Sequence, residues 1–433
     1  NPHIANRVKD AAIPGVYLQQ QFKRYYPEGE VTSQLIGFTN IDDQGQEGLE
    51  LAYNRWLTGK SGEQLVSKDL KGNVVAILQD MKQQEPGHDL TLSIDKRIQF
   101  LTYQALNEAV QHFKAESGSA VVLNVKTGEV LAMVNQPSFN PNDHSQGYSS
   151  NYRNRAITDV FEPGSTMKAF SIMSALDSGE YTPETIVDTK PGWLKVDHNW
   201  VHDEIDNGVI DVTQVLQKSS NVGVAKMTIS LPGDQLWSVL NRVGFGQITA
   251  SSFPGEQSGH LLLQNPWKPF ALSTLAFGYA VSVTTLQLAN AYSVIANDGI
   301  KVPVSLLKQD SSKPIKGERV LDSKVSNQML TMLESVVASG GTGRRARVQG
   351  YRVAGKTGTA RIAGPNGYQE DEHVGSFVGM APVSDPELVV AVVITKPHGS
   401  AYFGGIVAAP AFADIMSGAL RVMDIAPDAL QES

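Results

Sequence analysis

The chain has 433 residues, which at about 150 residues per domain allows two or three domains. Its hydrophobic content of 41% and charged content of 18% are typical of a globular protein with a sizeable core. The net charge of −8 comes without a dense Lys/Arg run, which gives no support for a nucleic-acid partner, and the absence of cysteine excludes disulfides and Cys-type zinc sites.

The start of the chain differs in composition from the rest. Residues 1–85 are rich in Gln, Gly and charged residues, with short strand and turn patterns, and Pro86-Gly87 marks a boundary. We therefore predict an N-terminal domain of residues 1–85 and a larger domain of residues 86–433. The longest apolar run, Leu388–Ile394, has the length of a strand rather than of a membrane span. Because the chain begins at Asn1 and not at Met, we expect it to be a soluble piece of a longer protein.

The larger domain begins with a helix and a hairpin. Apolar residues at spacings of three and four predict an amphipathic helix over about Asp95–Glu116. Two β-rich runs, Ser119–Val125 and Glu129–Asn135, flank a Lys-Thr-Gly turn and predict a β-hairpin. A second helix is predicted over Thr166–Ser178, after Pro163-Gly164, and the middle third of the chain has mainly helical patterns.

The end of the chain predicts three further strands and a last helix, over Tyr351–Arg361, Val374–Met380, Leu388–Thr395 and Pro410–Met423. Two strands, a long helical insert, three strands and a helix indicate an α+β fold. We expect one antiparallel sheet of about five strands with helices on both faces.

The predicted start of the second helix carries a serine and a lysine with catalytic spacing. Ser165 and Lys168 are three residues apart, so the amine can reach the hydroxyl on one helix face. A lysine whose pKa is lowered by burial or by a second cation can activate a serine, and the helix start directs N–H groups toward an oxyanion. The same spacing occurs at Ser93–Lys96 and Ser305–Lys308, but Ser93 lies in an extended piece and no helical pattern closely follows Ser305.

Two later segments have complementary chemistry. In Ser219-Ser220-Asn221 a hydroxyl can relay a proton and an amide can hold a substrate backbone. In Lys356-Thr357-Gly358-Thr359 the lysine adds a cation, the hydroxyls can bind a carboxylate, and the glycine admits a substrate as an added strand. Similar tripeptides occur elsewhere, at residues 60–62, 126–128, 138–140 and 149–151. Only one ordered combination has the expected settings: Ser165 at a helix start, Ser219 between two helices and Lys356 on a late strand.

Two alternatives involve other ligands. Residues 350–357 fit the G-x-x-x-x-G-K-[ST] pattern of a phosphate-binding loop, but that loop needs a helix beginning at the lysine, and Tyr, Arg, Val and Ala favour a strand here. His198 and His202 are four apart beside Asp203 and Glu204, but Gly and Pro nearby favour exposed polar surface over a metal site. We predict neither a nucleotide site nor a metal site.

The ordered combination is typical of penicillin-binding proteins and serine β-lactamases. From about Ile13 to Leu430 the chain resembles the class B penicillin-binding proteins, in particular their division-specific D,D-transpeptidases. The further stretches that carry the resemblance are Arg24–Pro27, Ile36–Asn40, Ala115–Ala120, Thr127–Met133, Ile157–Thr166 and Gln217–Val224.

The resemblance implies a β-lactamase-like transpeptidase domain with a truncated, non-catalytic pedestal domain at its N-terminus. It implies cross-linking of D-Ala-D-Ala stem peptides during septal cell-wall synthesis through a serine acyl-enzyme, with the same serine acylated by β-lactam antibiotics. It also implies a membrane glycan polymerase and other division proteins as partners, no cofactor, and a periplasmic position behind a single N-terminal anchor in the inner membrane.

The resemblance also implies roles for particular residues. Ser165 would be the acylated nucleophile, Lys168 its general base, and Ser219, Asn221 and Lys356 the remaining catalytic residues. The substrate-binding residues would be Thr357, Gly358, Thr359, Arg361, Tyr402 and Phe403. The backbone N–H groups of Ser165 and Thr359 would form the oxyanion hole. Two alternatives to these roles stay open. Arg361 could be a solvated strand residue, and Tyr402 and Phe403 could serve ordinary packing.

The remaining alternative is the same acyl-enzyme resolved by water, as in a β-lactamase, a carboxypeptidase or a β-lactam sensor. Class A β-lactamases carry a deacylating glutamate in a Glu-x-x-Leu-Asn segment, and the comparable segment Trp237–Asn241 has tryptophan in that place. The length of the chain and its N-terminal domain favour synthesis over hydrolysis.

Overall fold

A computed structural model describes residues 2–16, 18, 23–70, 72, 74–143, 149–364, 367–399 and 401–429. Within these ranges no helix is both long and apolar enough to span a bilayer. The α-helices, α1 to α15, are Pro2–Asp10, Ser33–Ile36, Gly48–Ala52, Asn54–Leu57, Lys96–His112, Arg155–Thr158, Lys168–Asp177, Val212–Gln217, Asn221–Ile229, Gln235–Val243, Pro269–Ala276, Thr285–Ala296, Ser323–Val337, Gly404–Val407 and Ala409–Val422.

The strands lie singly or in groups between these helices. Strands β1 to β15 are Glu63–Lys68, Val74–Lys82, Ser117–Asn124, Val130–Gln136, Ile186–Asp188, Trp193–Val196, Asn199–His202, Val209–Asp211, His260–Leu261, Val281–Ser282, Ile300–Lys301, Glu318–Arg319, Ala354–Gly364, Gly367–Ala381 and Leu388–Thr395.

One antiparallel sheet of five strands organises most of the chain, in the order β13-β14-β15-β3-β4. The predicted hairpin is β3 paired with β4, and β15 pairs with β3 through all eight of its residues, from Leu388 opposite Asn124 to Thr395 opposite Ser117. The α+β prediction with about five strands is confirmed. Because β13 pairs with β14 and with no other strand of the described residues, its other edge can face a ligand.

Helices cover both faces of this sheet. Neighbouring residues along a strand point to opposite faces, so Val121 and Val378 join a core with α7, α12 and α13, while Val122 and Phe377 join a core with α5 and α15. All four side chains are fully buried. Burial on both faces explains why these strands are nearly continuous apolar runs.

Two of the longer helices follow their sequence patterns closely. The helix predicted over Asp95–Glu116 is α5, whose first turn is capped by the Asp95 carboxylate accepting from Arg97 N and Ile98 N. The helix predicted over Pro410–Met423 is α15. Both predictions are confirmed within a few residues.

Two predictions need correction. The strand predicted from Tyr351 begins at Ala354, because Tyr351 N bonds back to Val348 O in a turn and the Tyr351 hydroxyl donates to Ile425 O. The middle third contains helices α8 to α12, as predicted, but also short strand pairs, β5 with β8 and β6 with β7. These strands have only three or four residues each, too few for a clear period of two.

The N-terminal region contains four short helices, α1 to α4, followed by an isolated hairpin of β1 and β2. Every residue of β2 is exposed. This hairpin therefore lies outside both cores of the larger sheet.

Candidate active site

The nucleophile candidate lies in a turn pressed against the edge of the sheet. Ser165 belongs to the 3-10 turn Gly164–Met167, and α7 continues from it at Lys168. Gly164 has φ of +54°, and a Cβ there would lie 2.7 Å from Thr359 O of β13. Only glycine fits this conformation and this close approach, which explains the Pro-Gly before the serine.

Lys168 is buried at the first position of α7, with 1% of its surface exposed. Its Nζ donates to the backbone oxygen of Ser219 and, at 3.1 Å, to Ser219 Oγ. Burial lowers the pKa of Lys168 to about 7, although the carboxylates of Asp203 and Glu204 act in the opposite direction. A large fraction of this amine is therefore unprotonated near neutral pH and able to accept a proton.

Ser219 brings a second lysine to the same point. It lies in the tight turn between α8 and α9 with φ of +60°, and its Oγ is 3.1 Å from the Nζ of Lys356. The pKa of Lys356 is held well below its ordinary value by burial and, to a smaller degree, by the charge of Lys168. Burial is thus the main cause for both amines, and the effect of one lysine on the other lowers the pKa of Lys356.

The strand β13 carries the third segment along the groove. Lys356 lies within this strand and is fully buried, so the phosphate-loop alternative, which needs a helix beginning there, is wrong. Thr357 Oγ1 lies 2.9 Å from Thr342 Oγ1, and Thr359 Oγ1 accepts from Gly404 N at 3.1 Å.

Gly358 is the point at which β13 touches the nucleophile turn. A Cβ at this position would lie 2.7 Å from Pro163 O and 2.9 Å from Thr166 Cγ2. Any larger residue would push the strand away from the turn. Together with Gly164, Gly358 sets how closely the strand and the turn of Ser165 approach each other.

Asp203 is a site residue that the sequence reasoning missed. Its carboxylate accepts from Ser220 Oγ at 2.6 Å, Asn221 N at 2.5 Å and Val222 N at 2.9 Å, at the N-terminus of α9. These bonds fix the turn that presents Ser219 and Asn221. The expectation of exposed polar surface for Asp203 is wrong, since it is half-buried beside Lys168, and no local sequence pattern indicates its partners.

The predicted site residues meet in one groove with a volume of about 910 Å³. Nine of them line it: Ser165, Lys168, Ser219, Asn221, Thr357, Thr359, Arg361, Tyr402 and Phe403. Lys356 and Gly358 lie directly behind this lining, in β13. Residues from other parts of the chain also line the groove and carry no motif that the sequence could reveal, among them Glu204, Phe277, Tyr279, Arg344, Arg345 and His373.

The predicted aromatic pair forms a ladder of stacked rings with a histidine. The rings of Tyr402 and Phe403 are 4.5 Å apart, and the ring of His373 stacks on Tyr402 at 4.0 Å with an angle of 17°. His373 follows Glu372 on β14, where the sequence showed only an apolar strand beginning at the next residue. The three rings give one wall of the groove an apolar surface.

The arrangement supports acyl transfer in which an activated serine hydroxyl attacks the acyl carbon. A neutral amine, a relaying hydroxyl and an open strand edge surround Ser165, while no hydrogen bond joins Ser165 Oγ to Lys168 Nζ directly in the described residues. Catalytic hydrogen bonds of this kind commonly form when substrate is bound. Across the same described ranges, no group of three or more His, Cys, Asp or Glu residues is arranged to hold a metal ion.

Comparison with protein families gives two matches along the chain. Residues 118–417 match the penicillin binding protein transpeptidase domain, and residues 4–92 match the penicillin-binding protein dimerisation domain.

Individual proteins resemble the chain over nearly its whole length. It is 44% identical over 433 residues to the probable peptidoglycan D,D-transpeptidase PbpC of Pseudomonas aeruginosa, covering 100% of this chain and 76% of that protein. It is 44% identical over 430 residues to the peptidoglycan D,D-transpeptidase FtsI of Escherichia coli K12, covering 99% and 72%. Among solved structures, the apo transpeptidase domain of Burkholderia pseudomallei penicillin-binding protein 3 superposes with a TM-score of 0.73 at 40% identity, covering 80% of this chain and 100% of that one.

Proposed function

Because the chain belongs to the family of penicillin-binding protein transpeptidases, we propose that it is a peptidoglycan D,D-transpeptidase that cross-links stem peptides during septal cell-wall synthesis. The observation that carries the proposal is the contact of one hydroxyl, Ser219 Oγ, with the amines of two buried lysines beside Ser165. Lys168 and Lys356 come from distant parts of the chain. Their amines meet where serine acyl transfer needs a base to activate the hydroxyl.

In the proposed first step Ser165 becomes acylated. Neutral Lys168 accepts the proton of the Ser165 hydroxyl as Oγ attacks the carbonyl carbon between two D-alanines. The N–H groups of Ser165 and Thr359 stabilise the oxyanion. The proton then passes from Lys168 through the Ser219 hydroxyl to the leaving amine, the C–N bond breaks, and the terminal D-alanine departs.

In the second step an amine of a neighbouring stem peptide attacks the ester. A new amide bond forms, the bond to Ser165 Oγ breaks, and the proton lost by the amine returns to the serine through Lys168. A β-lactam follows the first step alone. Its ring amide opens onto Ser165, and we expect the resulting ester to deacylate slowly.

The strand edge and the groove wall supply the proposed substrate contacts. The free edge of β13 pairs with the donor backbone as an added strand, while Thr357 and Thr359 offer hydroxyls to its carboxylate. Arg361, which is exposed at the groove, adds positive charge. The rings of Tyr402 and Phe403 contact the apolar part of the acyl group.

Intact-protein mass spectrometry after exposure to benzylpenicillin tests the proposal. We expect one stable adduct per chain, located by peptide mapping at Ser165 and absent in Ser165→Ala. An adduct that persists in Ser165→Ala would contradict the assignment of the nucleophile. The rate of penicillin turnover distinguishes a synthase from a hydrolase, because rapid multiple turnover would favour a β-lactamase.

The wider setting is also proposed from the family resemblance. We place the chain in the periplasm behind a single N-terminal anchor, with a membrane glycan polymerase and other division proteins as partners. Residues 1–85 would form the non-catalytic pedestal and residues 86–433 the transpeptidase region. Co-purification of the full-length protein with the polymerase from membranes tests the partnership, and failure to co-purify under conditions that preserve other division complexes would contradict it.

A further inference from the structure

The segment that leads to the nucleophile is bound to one loop of the groove wall. Phe161 and Val283 exchange both backbone hydrogen bonds, at 3.0 Å and 2.9 Å, and Gly164 N donates to Gly278 O at 3.1 Å. Between them, Ala280 N donates to Glu162 Oε1 at 2.9 Å. Glu162, three residues before the serine, therefore holds this segment against the loop of residues 277–283.

The same carboxylate receives a hydrogen bond from the hairpin of β13 and β14. The Tyr368 hydroxyl donates to Glu162 Oε1 at 3.0 Å. The Tyr368 ring lies edge-on to Tyr279, with centroids 5.4 Å apart at an angle of 84°, and the Tyr279 hydroxyl accepts from Arg361 N at 3.4 Å. Tyr368 thus contacts both the nucleophile segment and the groove wall.

This part of the hairpin extends beyond the sheet. β15 pairs with β14 only from Val374 onward, and residues 367–371 of β14 are exposed. The pairing of β13 with β14 is also irregular between Arg361 and Ala363. No third strand among the described residues pairs with the hairpin here, and the Tyr368 hydroxyl ties it to the nucleophile segment.

The environment of Glu162 makes this hydrogen bond consequential. The carboxyl is half-buried, and burial raises its pKa while the Ala280 and Tyr368 donors lower it. Its other oxygen, Oε2, is buried and has no partner in the described residues. If the Tyr368 hydroxyl is removed, the carboxylate keeps a single donor, Ala280 N, and loses its connection to the hairpin.

We propose that Tyr368 and Glu162 form a latch that positions Ser165 for acylation by fixing the hairpin of β13 and β14 to the nucleophile segment. Neither residue touches the reacting atoms, so both are positioning residues. The inference rests on the proposed role of Ser165. The latch keeps the outer part of the hairpin from moving relative to the segment that carries the serine, and it therefore acts on the bond-forming step more than on initial binding.

Stopped-flow acylation by a fluorescent penicillin separates the dissociation constant of the initial complex from the acylation rate constant. For Tyr368→Phe we expect the rate constant to fall about tenfold, as one hydrogen bond to a charged group is lost, with the dissociation constant changed less than about twofold. The melting temperature should stay that of the unmodified protein.

A matched control is Tyr181→Phe, because the Tyr181 hydroxyl also bonds a side chain, Ser230 Oγ at 2.8 Å, outside the groove. We expect no change in its acylation rate constant. Glu162→Gln keeps an acceptor oxygen and should retain most of the rate, whereas Glu162→Ala should lose at least as much as Tyr368→Phe. Adding Tyr368→Phe to Glu162→Ala should cost nothing further.

An acylation rate constant in Tyr368→Phe equal to that of the unmodified protein would overturn the latch. Additive losses in the double variant would overturn it as well, since they would show two independent effects. Either result leaves the Ser165 adduct intact, so failure of the latch is distinguishable from failure of the proposed function, which would appear as an adduct in Ser165→Ala.

Discussion

Two antiparallel β structures in this chain both contain apolar strand residues but have opposite surroundings. In the hairpin of β1 and β2 the apolar side chains of β2 are exposed, for example Ile77 by 58% and Leu78 by 63%. In the five-stranded sheet, equally apolar residues such as Val378 and Val390 are fully buried between two layers of helices. Strand propensity is shared by both, so the covering layers, and not the strand sequences, make the difference.

Lysines in the two β structures have different surroundings. Lys68 and Lys82 lie in the hairpin strands and are exposed to water. Lys356 lies in a sheet strand, is fully buried, and has a pKa well below its ordinary value. A lysine becomes a candidate proton carrier in this protein where helices and a neighbouring turn exclude water from a strand edge.

The largest expected effect comes from removing a buried amine. For Lys168→Ala we expect the rate constant of penicillin acylation to fall by roughly 10²–10⁴-fold, because the proposed base is lost. Stopped-flow acylation measures the loss. The matched variant in the hairpin, Lys82→Ala, should react at an unchanged rate. Near-normal acylation of Lys168→Ala would break the link between burial and reactivity.

The second prediction compares stability in the two regions. Phe377 is fully buried in β14, with its ring 4.6 Å from that of Phe412, and Phe377→Ala should lower the free energy of unfolding by about 3–5 kcal/mol. Leu78→Ala in the exposed hairpin should change it by less than about 0.5 kcal/mol. Urea unfolding of both variants measures the difference, and equal losses would show that the hairpin packs as tightly as the sheet.

The smallest expected effect is a pH dependence. The pKa of Lys168 is lowered to about 7, so the neutral amine predominates above that pH and the ammonium below it. The acylation rate constant should therefore fall about tenfold per pH unit below 7 and level off above it. Measurement from pH 5.5 to 9 checks the profile. A rate that is independent of pH over this range would mean that the titration of Lys168 does not control acylation.

Much of the fold could be predicted from the sequence because its main elements have strong local patterns. Helices α5 and α15 show apolar residues at helical spacing, and strands β3, β4 and β15 are β-rich runs. Each pattern arises because one segment buries its apolar side chains against a neighbouring helix or strand. The short strands β5 to β8 could not be predicted, since three or four residues are too few to show a clear period of two.

The candidate site was predictable in part for the same reason. Ser165, Ser219 and Lys356 could be found because each belongs to a short segment whose residue types suggest its chemistry. Asp203 and Tyr368 could not, because each acts through a partner distant in sequence, Asp203 through the start of α9 and Tyr368 through a carboxylate 206 residues away. A tertiary contact between ordinary residues leaves no local pattern.

The contact of Gly164 and Gly358 with opposing backbone has a consequence for drug design. The turn of Ser165 and the strand edge meet these two glycines with main-chain oxygens, Thr359 O and Pro163 O, and no change of side chain at the groove surface removes these contacts. An inhibitor that takes its affinity from the amide groups of this strand would therefore bind a feature that is difficult to lose by mutation. Compounds that bind mainly to the rings of Tyr402 and Phe403 or to the arginines of the groove would contact side chains that a mutation can replace. We expect drug resistance to arise first at those side chains.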